Sequence, residues 1–466
     1  MAAAGVAGRR QHVRYPITNG RRRVSNYGIP NALVRALREP RSFLLAVLLA
    51  LAAGLAACGG GGGSSSSGSS SGGSGGSSSS GGNGTASLPA GPQQQPIAAT
   101  AANTVPVTVN SGINSNFPNI PTVTVTVCVP GTGNCQTITN VQVDTASFGL
   151  RLVASALGSF NNTLPTTTSN GSTLAECTAF ADGYTWGTVR SADVKVGGET
   201  ASNIPIQVIG DLATSTVPQA CASFGPSQNS TQAIGANGIL GIGVSPWDCG
   251  ANCANSASTS TYYACPSGGN CTNTAVALTS QVTNPVSKFA VDNNGVILQM
   301  PPISNNGQAS ATGTLVFGIG TQSNNAIPTS VQRFATSQWG DMTGSYNGQA
   351  LRETFLDSGS NGIFFNDSAI AQCGGNLGTF YCPATPLTLN ATLTDVNNAS
   401  GTVSFNVVSA SVLLNGGTNF ALNDLAGQFG SSTSLDLGLP FFYGRYVYYG
   451  QDQAINGGTQ TPYVAF

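Results

Sequence analysis

Val143-Asp144-Thr145-Ala146-Ser147-Phe148-Gly149-Leu150 decides how this chain is read, because Leu356-Asp357-Ser358-Gly359-Ser360-Asn361-Gly362-Ile363 repeats it. Both copies run apolar, Asp, hydroxyl residue, small residue, Ser, any residue, Gly, branched apolar. Each follows a β-like run, 139–143 and 352–356, that delivers its Asp from a strand end onto a tight turn. A single Asp-Ser-Gly is only a turn, because Asp and Ser bond their own backbone and Gly accepts positive φ. Two matching turns, one in each half, predict a duplicated unit whose carboxylates meet on a pseudo-two-fold axis. Like charges a few ångströms apart cannot both ionise, so such a pair shares a proton and presents an acid and a base together.

Composition narrows the chemistry further. The sole histidine is His12, and nine of the sixteen basic residues also lie in the first 42 positions. A chain processed after Ala57 has no histidine, so Ser-His and Cys-His pairs and imidazole metal sites are excluded. It keeps seven basic residues against sixteen acidic ones, a charge of about −9. Lys195 and Lys288 are its only lysines, no basic patch forms, and nucleic acid is not an expected partner. Thr, Ser, Asn, Val and Gly in short alternating runs between turn residues imply an all-β domain.

Residues 1–57 read as a leader. An Arg-rich start precedes an apolar run at 43–57, which is too short for a comfortable membrane span and fits a secretory signal. Leu55-Ala56-Ala57-Cys58 matches the bacterial lipobox, which makes Cys58 the lipidated first residue of the mature protein. Residues 58–99 form the tether, nearly pure Gly and Ser over 59–91, with a reach of about 30 Å. Gly59 stands where an inner-membrane retention signal places Asp, so the expected location is the outer membrane, on either face.

Ten cysteines follow Cys58, and an even count in an exported chain reads as disulfides without specifying connectivity. Cys128 and Cys135 flank the turn Pro130-Gly131-Thr132-Gly133, and Cys373 and Cys382 are placed to close a loop. Cys249, Cys253, Cys265 and Cys271 sit in an insertion spanning 249–271, where a four-thiolate zinc site is the alternative.

The two carboxylate turns resemble the pepsin-like aspartic peptidases, which carry Asp-Thr-Gly-Ser in one lobe and Asp-Thr-Gly or Asp-Ser-Gly in the other. Asn237-Gly238-Ile239-Leu240-Gly241 is similar to the family's segment beneath the first catalytic loop. Leu437-Gly438-Leu439-Pro440-Phe441-Phe442, with Tyr446, Val447 and Tyr448, is similar to its second-lobe counterpart. Gly313-Thr314-Leu315-Val316-Phe317-Gly318 resembles the crossing between lobes. The chain also resembles a group of bacterial lipoproteins of unknown function.

The resemblance implies a bilobal all-β fold, with a first lobe over 100–318, a second over 319–466, and an extended peptide bound in the cleft. It implies Asp144 and Asp357 as catalytic residues, with Thr145, Ser147, Ser358 and Ser360 bracing them. Phe180, Ala181, Asp182 and Gly183 fall where the family has its substrate flap, and Asp-Gly is itself a tight-turn signal. No cofactor is implied, and a monomer acting on peptide or protein is expected.

Three positions depart from the family pattern. Ala146 replaces a loop glycine, so its methyl either crowds the substrate or forces positive φ on a residue with a Cβ. Phe180 lacks the usual flap hydroxyl, and Arg151 replaces the Trp that would bond it. Ala146 and Phe180 speak for a second reading, a catalytically silent surface protein that binds peptide or glycan, and the retained hydroxyls of Thr145, Ser147, Ser358 and Ser360 speak against it. Glycoside hydrolysis by paired carboxylates needs acids on aromatic-lined strands, which the duplicated turn does not suggest.

Overall fold

In strand Pro121–Cys128, Val123, Val125 and Val127 point into the core while Thr124 and Thr126 turn outward, the period-two alternation of a half-buried strand. The computed structural model describes residues 88–114, 117–267 and 269–466. The leader, Cys58 and most of the tether lie outside them.

Where strands are covered on both faces, the alternation gives way to continuous burial. Cys135–Asp144 alternates at its start, and its last four residues, Val141 to Asp144, are all buried. Gly238–Ile242 and Ser434–Gly438 are buried throughout.

The duplication appears as a repeated three-strand motif. In the first copy, Cys135–Asp144 runs parallel to Gly238–Ile242 with Asp144 opposite Gly241, and Phe148–Val153 returns antiparallel on the other side. In the second, Gln349–Asp357 runs parallel to Ser434–Gly438 with Asp357 opposite Gly438, and Ile363–Phe364 returns antiparallel. Both opposing glycines are needed for close approach. A Cβ on Gly241 would lie 2.5 Å from the Phe148 nitrogen, and one on Gly438 would lie 2.0 Å from the Gly362 oxygen. The two copies belong to different sheets, one of sixteen strands and one of seven.

The larger sheet also joins the two halves of the sequence. Ala311–Phe317 pairs with both Thr104–Val109 and Gly295–Gln299, and Gly295–Gln299 pairs in turn with Tyr446–Gly450. The C-terminal strands therefore return beneath the first lobe, and one apolar core runs from Val105 to Val464 through both lobes.

Five disulfides pair all ten cysteines of the described residues: 128–135, 177–221, 249–253, 265–271 and 373–382. The four cysteines of the insertion are thus bridged in sequential pairs rather than gathered as thiolates. The insertion itself adds strand Tyr262–Cys265 alongside Ser172–Phe180.

Candidate active site

Asp144 and Asp357 end their strands fully buried, and their carboxyl groups converge on Gly359. A Cβ at Gly359 would lie 2.9 Å from Asp144 Cγ and 3.0 Å from Oδ1 of each aspartate. Each loop turns its own backbone onto its acid, the Ala146 N–H donating to Asp144 Oδ1 at 2.9 Å and the Gly359 N–H to Asp357 Oδ1 at 2.7 Å.

Hydroxyls lock the two loops to each other. Thr145 Oγ1 accepts from the Ser358 N–H at 2.9 Å and donates to the Leu356 carbonyl at 3.4 Å. Ser358 Oγ donates to the Val143 carbonyl at 2.8 Å. The Leu356 carbonyl also accepts from the Tyr449 hydroxyl at 3.0 Å, and Gln142 Nε2 donates to the Gly359 carbonyl at 3.0 Å. Asn119, at φ 57°, reaches across from the first lobe to the Asn361 and Leu422 carbonyls at 2.9 and 2.8 Å. Every one of these groups is buried, so each unmade bond would carry the desolvation cost of a lone polar atom.

The outer oxygens are held unequally. Ser360 Oγ lies 3.1 Å from Asp357 Oδ2 and 2.5 Å from Oδ2 of a third buried acid, Asp436. Ser147 lies close enough to Asp144 to pull its pKa down, yet Ser147 Oγ and Asp144 Oδ2 close no hydrogen bond of good geometry. The bracing expected from all four hydroxyls is therefore tight at Thr145, Ser358 and Ser360 and loose at Ser147.

Ala146 resolves one expectation. Its φ is not positive, and its methyl packs beside a cluster that includes Phe117, Ile120, Phe355 and Phe364. Backbone strain is absent there. The position that needs glycine in the first loop is Gly149, where φ is +96° and a Cβ would lie 2.5 Å from Val282 Cγ1.

Arg151 behaves differently from the exchange that the sequence suggested. Its guanidinium is 1% exposed, pairs with Glu176 at 2.7 Å and Asp248 at 3.2 Å, and donates to the Phe148 carbonyl at 2.7 Å. Its Nε also donates to the Thr178 hydroxyl at 3.0 Å. Tyr262 of the insertion completes the network by donating to Asp248 at 2.7 Å. Burial pushes Glu176 up, but the Arg151 charge wins and holds it below the usual carboxylate range. Asp248 is pushed well up, by burial and then by Glu176.

Residues 172–196 form the expected hairpin, with Ala181 and Asp182 at its tip between Phe180 and Gly183. Phe180 is buried against Val153, Ile209, Ile234 and Ile239. The tip rests on a neighbouring segment: the Tyr184 N–H donates to the Pro226 carbonyl at 3.0 Å, and Gln228 Nε2 to the Asp182 carbonyl at 3.1 Å. The Cys177–Cys221 bridge ties the same region down.

The two acids also titrate differently. Burial raises Asp144, opposed by the Ser147 hydroxyl, the Ala146 N–H and, less strongly, the Arg151 charge. Burial raises Asp357 well above its ordinary value, helped by the charges of Asp144 and Asp436. Asp436, Tyr449, Gln142 and Asn119 escaped the sequence reading. Only Asp436 left a signal, since Asp436-Leu437-Gly438 aligns with Ile239-Leu240-Gly241 and puts a charge where its counterpart is apolar. Among the described residues, no group of three or more His, Cys, Asp or Glu is arranged to hold a metal ion.

Comparison with solved structures places the chain beside the aspartic proteinase from Irpex lacteus, at 17% identity and a TM-score of 0.45. The match covers 78% of this chain and 96% of that one. No curated protein matches. A family model covers residues 99–466, and the chain belongs to the family described as "Protein of unknown function (DUF3443)".

Proposed function

We propose that the protein is an aspartic endopeptidase that cleaves extended peptides, held at the bacterial outer membrane by lipid on Cys58. The observation that carries the catalytic part is the convergence of two buried carboxyls on Gly359, clamped by hydroxyls from the opposite loop. Environments that push two such groups apart assign their roles. Asp144, with Arg151 behind its loop, is the charged base that takes a proton from water. Asp357, beside Asp436, keeps its proton and donates it toward the scissile carbonyl oxygen. Water attacks the carbonyl carbon. The tetrahedral intermediate breaks its C–N bond as Asp144 passes the proton it took to the leaving amine, and Asp357 recovers its own proton from the collapsing hydroxyl. No covalent bond to the enzyme forms.

Activity on an unstructured, apolar-rich peptide between pH 3 and 8 tests this reading. Cleavage should fall as pH rises through the raised value of Asp357, because the pair then loses the proton it shares. The silent-binder reading draws on the bonded hairpin tip. It prevails if peptide binds and is never cut. Membrane fractionation of Cys58→Ser tests the anchor, and full retention of that variant on membranes would place the anchor elsewhere.

A further inference from the structure

A cavity of about 380 Å³ opens between the body of the protein and residues 89–92, which precede the first strand. Neither Asp144 nor Asp357 lines it. Its volume is that of a small-molecule site. The neighbouring Gln94 fixes this wall: its N–H donates to the Gly444 carbonyl at 2.9 Å, and its Oε1 accepts from the Tyr446 N–H at 2.8 Å. Gly444 makes the close approach possible, since its φ is +71° and a Cβ there would lie 1.9 Å from the Pro92 oxygen. Pro89, Ala90 and Pro92 are themselves exposed, which leaves a ligand a short way in from solvent.

Most of the lining is apolar, with Ile303, Ile363, Phe405 and Phe441 among its side chains. Two groups of opposite charge interrupt it and do not pair with each other. Arg445 lays its guanidinium over the Phe441 ring at 4.0 Å and donates from Nη1 to the Phe441 carbonyl. Among the described residues its other donors make no hydrogen bond, and it has no carboxylate partner. Burial pulls its pKa down to about 10. Asp424 is 2% exposed, and its Oδ2 has no hydrogen-bond partner among the described residues. Burial pushes it up to about 7, offset in part by the Asn406 side chain. Beside it, Asn423 leaves a buried Oδ1 unpartnered while its Nδ2 donates to Asn305 Oδ1 at 3.1 Å. Unmade bonds at buried polar atoms are costly, and a ligand that supplies them is held by what the empty cavity lacks.

We propose that this cavity binds a small zwitterion of amino-acid or dipeptide size, with its carboxylate on Arg445 and its ammonium on Asp424 and the Asn423 carbonyl. A guanidinium with open donors takes a carboxylate through two parallel bonds. At the other end only acceptors are open, which selects a group rich in N–H, and an ammonium also brings the charge that Asp424 lacks. The apolar walls take an aliphatic side chain. This recognition site is independent of whether the two catalytic carboxyls cut peptide.

Titration calorimetry on the full-length protein at about pH 7.5, just above the value to which burial raises Asp424, tests the site with leucine and glycyl-leucine. The tighter of the two is then compared with its N-acetyl form, which has no ammonium, and with its amide, which has no carboxylate. Each blocked form should bind roughly 10–100-fold more weakly. The variants should follow the same division. Asp424→Asn should weaken the zwitterion by that factor and leave its N-acetyl form nearly unchanged, while Arg445→Gln should weaken the zwitterion and leave its amide nearly unchanged. A residue that only supports the fold would weaken all three ligands alike. Glucuronate, which offers Arg445 a carboxylate but hydroxyls in place of the ammonium, should bind less tightly than the zwitterion. No heat from either zwitterion, equal binding of the blocked forms, uniform losses in the variants, or tighter binding of glucuronate overturns the proposal. Should a variant not fold, the comparison of free and blocked ligands on the wild type decides alone.

Discussion

The two carboxylate loops have the same strand pairings and opposite electrostatic settings. Behind the first stands a cation: Arg151 donates to the Phe148 carbonyl, and its charge offsets a small part of the rise that burial imposes on Asp144. Behind the second stands an acid: Asp436 shares Ser360 with Asp357 and pushes it up. Duplication of a backbone motif therefore does not duplicate its chemistry. The backbone sets where each carboxyl sits, and the groups packed one layer deeper bring charges of opposite sign to the two of them. Space divides the loops as well. The first accepts a methyl at Ala146, whereas at Gly359 a Cβ would press on both aspartates.

Replacing either acid breaks the comparison outright. Asp144→Asn and Asp357→Asn should each reduce cleavage by about 10²–10⁴-fold, read as kcat/KM on a peptide. Their stabilities should differ as the loops do. A carboxyl raised on folding stabilises only below its unfolded value and loses that contribution as pH rises through its folded value. At neutral pH the raised acid is a burden that Asn lacks. Asp357→Asn should therefore raise the thermal midpoint near pH 7 more than Asp144→Asn does, and both gains should shrink toward pH 4. Equal gains at neutral pH would mean that the loops are electrostatically alike.

Removing the cation attacks the first setting alone. Arg151→Met leaves Glu176 buried without its partner, and global stability should drop by about 3–5 kcal/mol in denaturant titration at neutral pH. Glu176 is the opposite case from the dyad. Its folded pKa is lowered, so its stabilisation is present above the unfolded value and fades as pH falls. The deficit of the variant should narrow in acid. The acidic limb of cleavage should also move to higher pH, because Asp144 loses the charge that favoured its ionised form.

Exchanging the small residues gives the sharpest contrast for the least chemistry. Gly359→Ala places a carbon 2.9 Å from Asp144 Cγ and should cost roughly 100-fold in kcat with little change in peptide affinity. Ala146→Gly should stay within about threefold of wild type, since the methyl packs at the edge of the core without backbone strain. Similar losses for the two exchanges would erase the spatial difference between the loops.

Reading the sequence was effective wherever local chemistry repeats. Two Asp turns at strand ends, glycines two residues after Ile239 and Asp436, and alternating valines are all patterns of period two or of turn geometry. They mark both Asp turns, the glycines of Ile239-Leu240-Gly241 and Asp436-Leu437-Gly438, the hairpin turn at Phe180–Gly183 and the all-β class. The start of the hairpin at Ser172 came only from the structure. The pairs 128–135 and 373–382 were legible because a short loop leaves each cysteine one near partner. Cys177 and Cys221 were not, since 44 residues separate them and only the docked hairpin brings them together.

What the tertiary structure alone decided is the setting of each acid. Arg151 looked like a lost hydrogen-bond partner, because its real partners Glu176 and Asp248 lie 25 and 97 residues away. Asp436 follows Asp357 by 79 residues and meets it through a hydroxyl that the sequence assigned to Asp357 alone. A turn signature is local and survives in the order of residues. The charge state of a buried acid is a sum over everything packed against it, and that sum exists only once distant strands have met.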